Sequence, residues 1–315
     1  MPLPQSMVTS KDWTEVTDFG PQGWSAQADA GLRARQCCER LEKGEILFFA
    51  SPPFCLDEND RNYLISQRRM DSRLHKNISY RPGEDLLRGF SDGQENENRM
   101  HGIMRAYSSA VTDFVSRFLS PYAGEFQLDY ASFRPLEEQG RDLPLHKRND
   151  LLHVDAFPSR PTRGGRILRV FTNINSSQER VWLVGERFPA LAEHYALEAG
   201  LGAICRAGSS LRARLVHWFR SARLPVTERS PYDEFMLRFH DWLKENSRFQ
   251  SSTGKTRLAF PPLTTWLVFT DGVPHAALSG QFALEQTFII PPAALVAPDA
   301  APVHILEKLC GRRLA

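Results

Sequence analysis

The 315-residue chain lacks any apolar run long enough to cross a bilayer. Its longest uncharged stretches toward the C-terminus, 258–270, 272–284 and 286–298, are 13 residues each. A spanning helix needs about 20 apolar residues, and prolines interrupt these stretches. The first dozen residues hold one lysine, two prolines and no apolar run, so no secretory signal is visible. Cysteine is scarce: the five are odd in number, show no C-x-x-C spacing, and include an adjacent pair, Cys37 and Cys38, that does not easily close an ordinary bridge. A reducing cytosol is the simplest setting for them. Charge of one sign is lacking too. Lys and Arg number 39 against 37 Asp and Glu, a net charge of +2. That excludes a general polyanion binder and gives no reason to expect a nucleic-acid partner, so any partner is recognised locally.

What is present is an ordinary globular composition, 42% hydrophobic and 24% charged. Residues 1–126 read as a mostly helical supporting region. Met100, Ile103, Met104, Tyr107, Val111, Phe114, Val115, Phe118 and Leu119 recur at helical spacing until Ser120-Pro121, and Asp57 reads as a helix start before Tyr63, Leu64 and Ile65. A short apolar run, Ile46 to Ala50, lies between them. From residue 127 the texture changes to short apolar or alternating segments separated by turn residues. Expected strands are Leu128 to Phe133, Asp150 to Phe157, Arg166 to Asn173, Val181 to Val184, Thr264 to Thr270, His275 to Leu278 and Ala283 to Ile290. Residues 186–248 read as a helical insertion. The expected fold is α+β with a mainly β core, a double-stranded β-helix (jelly-roll, cupin-like) over 127–315 with N-terminal helices, forming one integrated domain.

Of nine histidines, His153 alone has a carboxylate two residues on, Asp155. In a strand those side chains share a face, so both can bind one ion. The spacing alone also suits an incidental surface pair, but apolar Leu151, Leu152, Val154 and Phe157 point to a buried strand, where an unpaired carboxylate is costly. A late histidine, His275, follows a strand and a tight turn. Two imidazoles and a carboxylate on one face form the facial triad of non-haem Fe(II) oxygenases, leaving positions for a cosubstrate and dioxygen. H-x-D followed by a distal His fits double-stranded β-helix enzymes.

Such enzymes need a cation for the far carboxylate of 2-oxoglutarate, and arginine suits it. Residues 276–288, where an anchor after the distal His is common, contain no Arg or Lys. The strand after H-x-D offers Arg169 first, sharing a face with Phe171, Asn173 and Asn175, then Arg166, with Arg134 third; an arginine facing solvent or an acidic partner is the plainer alternative. Ser279, Gln281 and Gln286 either orient the cosubstrate or satisfy backbone groups. A second basic stretch, Arg206 to Arg223, is amphipathic and fits either an anionic membrane surface or a solvated helix. His194, His217 and His240 read as packing or surface residues.

The segments His153-Val-Asp155-Ala-Phe-Pro, Arg160-Pro-Thr-Arg163-Gly-Gly-Arg166-Ile-Leu-Arg169-Val-Phe-Thr-Asn173-Ile-Asn175, and 267–288 around Val273-Pro274-His275-Ala276-Ala277-Leu278 resemble the Fe(II)/2-oxoglutarate-dependent Kdo hydroxylases. A weaker likeness runs through 74–82. The resemblance implies Fe(II), 2-oxoglutarate and dioxygen, with hydroxylation at C3 of 3-deoxy-D-manno-octulosonic acid (Kdo) on lipid A to give Ko. It also implies a cytoplasmic enzyme at the inner-membrane surface, with an oligomer left open. Six arginines, Arg160, Arg163, Arg166, Arg169, Arg180 and Arg187, stand against Glu179 and Glu186, which suits an anionic substrate met by Arg134, Arg160 and Arg163. The alternatives are an oxygenase with a protein or small-molecule substrate, a non-catalytic cupin-like sugar- or lipid-binding module, and a metal-dependent hydrolase.

Overall fold

The computed structural model describes residues 7–9, 13–20, 22–25, 27–67, 77–138, 140, 142–206 and 228–315. Its strands are β1 (Met7–Thr9), β2 (Thr14–Val16), β3 (Phe19–Gly20), β4 (Gly23–Trp24), β5 (Leu47–Phe49), β6 (Ile78–Arg81) and β7 (Leu86–Arg88), followed by β8 (Gln127–Arg134), β9 (Arg166–Asn173), β10 (Arg180–Val184), β11 (Thr256–Phe260), β12 (Thr265–Phe269), β13 (His275–Ser279) and β14 (Ala283–Ile290). Nine of them form one sheet in the order β1-β2-β5-β12-β9-β14-β8-β6-β7, and three form a second, β11-β10-β13. The expected helical texture of the first 126 residues is thus only part of it, because β2, β5 and β6 extend the large sheet. Three-residue strands such as β5 are too short to establish a period-two pattern in sequence.

The helix Gln94–Phe118 buries the face expected of it, Met100 through Phe118 at three- and four-residue spacing. Its apolar side packs with Leu168, Val170, Leu284 and Phe288 of the large sheet in one core cluster. Asp57 caps the helix Glu58–Ser66 by accepting from the backbone N–H groups of Asn59 and Asp60. The other face of the large sheet meets the small one: Phe171 and Trp266 cluster with Trp182, Phe260 and Ala277, and the Phe171 and Trp182 rings stand 4.8 Å apart. The period-two alternation of β9 therefore sorts Leu168 and Val170 to the helix side and Arg169 and Phe171 to the space between the sheets.

The expected strand Asp150 to Phe157 is replaced by a single bridge. His153 and His275 exchange two backbone hydrogen bonds, 3.1 and 2.9 Å. On either side the ladder is diverted: the Gln250 side chain takes both backbone groups of Leu152, and the Asp155 N–H goes to the Thr270 carbonyl. β11, which the sequence reading did not mark, lies at the edge of the small sheet and has an exposed first half.

In the insertion, Phe188–Tyr195 and Pro231–Glu245 are helices, as their spacing predicts. The latter starts at Ser230 with a capping box closed by Asp233. Cys205 and Cys310 form a disulfide that ties the helix Leu201–Arg206 to the helix Pro302–Cys310. Partners 105 residues apart leave no spacing signal in the sequence, which is why the pairing was not expected. The basic stretch beyond Arg206 and His217 lie outside the described residues. No helix among the described residues is long and apolar enough to cross a membrane.

Candidate active site

β9, β10, β13, the His153 segment and the helix Pro231–Glu245 surround a cavity of about 670 Å³. Its wall includes His153, Asp155, His275, Arg169, Arg180, Trp182, His240 and Lys244. His153, Asp155 and His275 are all buried. Asp155 lies 3.6 Å from His153 Nε2 and 3.9 Å from His275 Nε2. The bridge between the two histidines holds their backbones in register and their rings 4.8 Å apart. Each ring is oriented from behind by the same device: His153 Nδ1 donates to the Leu151 carbonyl at 2.7 Å and His275 Nδ1 to the Val273 carbonyl at 3.0 Å. That fixes the tautomer and leaves both Nε2 lone pairs for an ion.

Protonation fits the same role. Burial, together with the neighbouring His275, Lys244 and His240, pushes the His153 imidazole well below its ordinary value. Burial also lowers His275, although Asp155 opposes the shift. Burial raises Asp155, but the Arg169 guanidinium and the two imidazoles outweigh it and hold the carboxyl below its ordinary range. Neutral imidazoles and an ionised carboxylate are the forms that ligate a metal. His240 is a third imidazole in place: with His153 and Asp155 it puts one donor atom each within 4.8 Å of one another. Its Nδ1 donates to the Val154 carbonyl at 2.7 Å. His275 differs from His240 in being joined to His153 by paired backbone hydrogen bonds.

Behind Asp155 runs a buried chain of charges. Arg169 Nε is 3.2 Å from Asp155 Oδ2 and its Nη1 is 2.9 Å from Glu285 Oε1. Glu285 also receives Arg134, 2.7 Å from its Nε, and Arg134 Nη1 reaches Glu138 at 3.2 Å. Strand register explains this: Glu285 pairs with Phe171 and Ala283 with Arg134, which sets Arg134, Glu285 and Arg169 diagonally on one face. Arg180 differs. It is 1% exposed, its Nη1 donates to the Gly280 carbonyl at 2.6 Å, and its Nε has no hydrogen-bond partner. Burial pulls it down to about 10 despite the nearby glutamates. The Trp182 indole N–H, two residues on along β10, is also without a partner. Arg169 Nε is likewise without a hydrogen-bond partner, but it has the Asp155 carboxylate at 3.2 Å, so Arg180 Nε and the Trp182 indole are the donors of this wall left with neither a hydrogen bond nor a paired carboxylate.

Other residues marked in the sequence lie elsewhere. Arg166 faces away from the cavity, with its Nε 2.7 Å from Asp271 and its Nη1 on the Glu42 carbonyl. Asn173 donates to the Gln178, Phe260 and Pro261 carbonyls and so holds a loop. Gln286 donates to the Asp129 and Thr287 carbonyls. Ser279 and Gln281 are not part of the cavity wall. Arg160 pairs with Asp129 and stacks on Tyr130 and Phe157, while the Arg163 backbone N–H, at φ 51°, donates to Asp233. Arg134 does line the cavity. Sequence reading missed Arg180, Glu285, His240 and Lys244. Alternation within β10, which puts Arg180 and Trp182 on one face, and the four-residue step from His240 to Lys244 are the signals that would have found three of them.

Residues 24–313 match the model of the 3-deoxy-D-manno-oct-2-ulosonic acid (Kdo) hydroxylase family. Among curated proteins, no sequence matches the chain. The chain is similar to crystal structures of the Kdo hydroxylase KdoO, described as a non-heme Fe(II) α-ketoglutarate-dependent dioxygenase. The complex with α-ketoglutarate and Fe(III) shares 32% identity and a TM-score of 0.81 over 97% of this chain and 98% of that one. The cobalt(II) complex shares 34% identity and a TM-score of 0.78 over 90% and 92%. With a buried His-Asp-His group at the cavity and a family match over nearly its whole length, the chain belongs to the Kdo hydroxylase family.

Proposed function

We propose that this Kdo hydroxylase is an Fe(II)- and 2-oxoglutarate-dependent dioxygenase acting at C3 of a Kdo sugar carried on lipid A, giving Ko. The resemblance carries the lipid-linked substrate and the cytoplasmic face of the inner membrane. The paired sheets read as a double-stranded β-helix, with β12-β9-β14-β8 facing β11-β10-β13 and the His153 segment continuing beside β13.

The observation that carries the chemistry is the oriented triad beside an unsatisfied buried arginine. His153, Asp155 and His275 would hold the iron through two Nε2 atoms and a carboxylate, a donor set that leaves positions for cosubstrate and dioxygen. The chemistry supplied there would be oxidative hydroxylation: one oxygen atom of dioxygen would enter the substrate C–H bond as C–OH and the other would enter succinate, formed with carbon dioxide from 2-oxoglutarate. Arg180 takes over from Arg169 as the favoured anchor for the far carboxylate of 2-oxoglutarate, because Arg169 already faces two carboxylates. Trp182 supplies a second donor on the same face. Arg169 instead pairs with Oδ2 of Asp155, the oxygen that also faces His275, and Glu285 pairs with Arg169. Phe171, Trp182 and Ala277 keep water from that end of the cavity.

Mass spectrometry of lipopolysaccharide from cells with and without the gene tests this. The expected result is a gain of one oxygen on an inner-core Kdo that depends on the gene; no gain removes the substrate assignment.

A further inference from the structure

Among the described residues, five cationic side chains line the cavity: Arg134, Lys147, Arg169, Arg180 and Lys244. Arg134 and Arg169 face the protein's own carboxylates, Arg180 is assigned to the cosubstrate above, and Lys147 is exposed. Lys244 is 3% exposed and its Nζ donates to the His146 carbonyl at 3.1 Å. It stands one helical turn after His240 on the helix Pro231–Glu245, so both occupy one face. The His240 ring is 4.9 Å from that of His153. Because His240 Nδ1 gives its proton to the Val154 carbonyl, Nε2 is an acceptor at the cavity wall. The helix therefore presents a buried donor cation and an acceptor nitrogen next to the triad.

The substrate's carboxylate would fall close to that place, where a cation can bind it. In a 3-deoxy-2-ulosonic acid the carboxylate is C1 and the carbon to be hydroxylated is C3, two bonds away. A group that grips the carboxylate must therefore stand beside the metal ligands, and a grip there also sets how C3 is presented.

We propose that Lys244 binds the C1 carboxylate of the ulosonic acid while His240 Nε2 accepts from a neighbouring hydroxyl, making the helix Pro231–Glu245 the wall that selects an acidic sugar. The inference rests on the Kdo reading above and adds the residue that reads the acid. It assigns Lys244 to the prime substrate and Arg180 to the cosubstrate.

The test is equilibrium binding, without dioxygen, of a Kdo glycoside and of its C1 amide to the protein loaded with metal and 2-oxoglutarate. Loss of one charge-assisted contact corresponds to about 10- to 100-fold in affinity. The unmodified protein prefers the acid by that factor, Lys244→Met abolishes the preference by weakening acid binding alone, and Lys244→Arg restores most of it. Lys244→Met keeps the aliphatic stem, and thermal unfolding of each variant reports whether it is folded. A preference that survives in folded Lys244→Met, or a variant whose 2-oxoglutarate affinity falls instead, overturns the assignment. Equal binding of acid and amide by the unmodified protein overturns it as well while leaving Kdo hydroxylation standing. Binding of neither sugar, with no Kdo conjugate hydroxylated, removes the substrate reading itself.

Discussion

Arg169 Nε lies 3.2 Å from Asp155 Oδ2, while the same guanidinium contacts Glu285 at 2.9 Å. The strand expected to anchor a cosubstrate thus sets its central arginine between two of the protein's own carboxylates. Replacing Arg169 by Gln should free the Asp155 carboxylate to rotate. Outer partners of metal ligands typically contribute about 10- to 100-fold in metal affinity. Titration with Co(II) should show a loss of that size, with Arg169→Lys intermediate; an unchanged metal affinity would mean that Arg169 does not position Asp155.

Arg180→Met should raise the KM for 2-oxoglutarate by about 10- to 100-fold, the effect of losing a charge-assisted pair, with metal affinity much less affected. Steady-state kinetics with 2-oxoglutarate as the varied substrate separates the two arginines. If Arg169→Gln moves that KM and Arg180→Met does not, the anchor is Arg169, as its place on β9 first suggests.

Arg166 and Asp271 are each 1% exposed and are paired at 2.7 Å outside the cavity. Burial raises the Asp271 carboxyl, with Arg166 opposing. Arg166→Met leaves a buried carboxylate without its cation, which costs about 3–5 kcal/mol. Urea denaturation should register that loss, whereas the 2-oxoglutarate KM of the folded fraction should stay unchanged. A large KM change with little loss of stability would put Arg166 in the site after all.

Acidification should destabilise the metal-free protein. His153, His240 and His275 are all held below the reference value of 6.5. The unfolded chain therefore takes up protons that the folded one does not once the pH falls through 6.5, and stability declines from there downward. Each such proton contributes a slope of about 1.4 kcal/mol per pH unit. Asp155 and Glu285, both held below their ordinary values, act in the same direction at lower pH: their stabilisation is present above the unfolded carboxyl range and is lost as pH falls through the depressed folded values. Denaturation curves at pH 7.5 and 5.5 should differ accordingly; identical curves would show that the imidazoles are not buried as neutral groups.

The sequence made the buried His-Asp-His group legible because His153 has a carboxylate two residues on among apolar neighbours and because Val273-Pro274 delivers His275 at a strand start, although the segment holding His153 and Asp155 makes one bridge and not a strand. It made Arg169 legible as an inward residue through the alternation of β9. It did not show that Arg169 would be spoken for, since its partner Glu285 lies on a neighbouring strand and no local pattern joins them. Arg180 was hidden as one of six arginines between positions 160 and 187. His240 and Lys244 were hidden because a helix carrying Tyr232, Phe235, Met236, Phe239 and Leu243 reads as core packing. The His153 segment was read as a strand from its apolar neighbours, yet its backbone is satisfied by Gln250 and Thr270, contacts that arise only in the folded chain.

His153 and Asp155 are shared by two possible ligand sets, one completed by His275 and the other by His240. The most direct measurement is anomalous diffraction from crystals of the metal-loaded protein. An ion bonded to His153 Nε2, the Asp155 carboxylate and His275 Nε2, with no further protein ligand, is the predicted result. An ion held by His240 in place of His275, or away from Asp155, would contradict it.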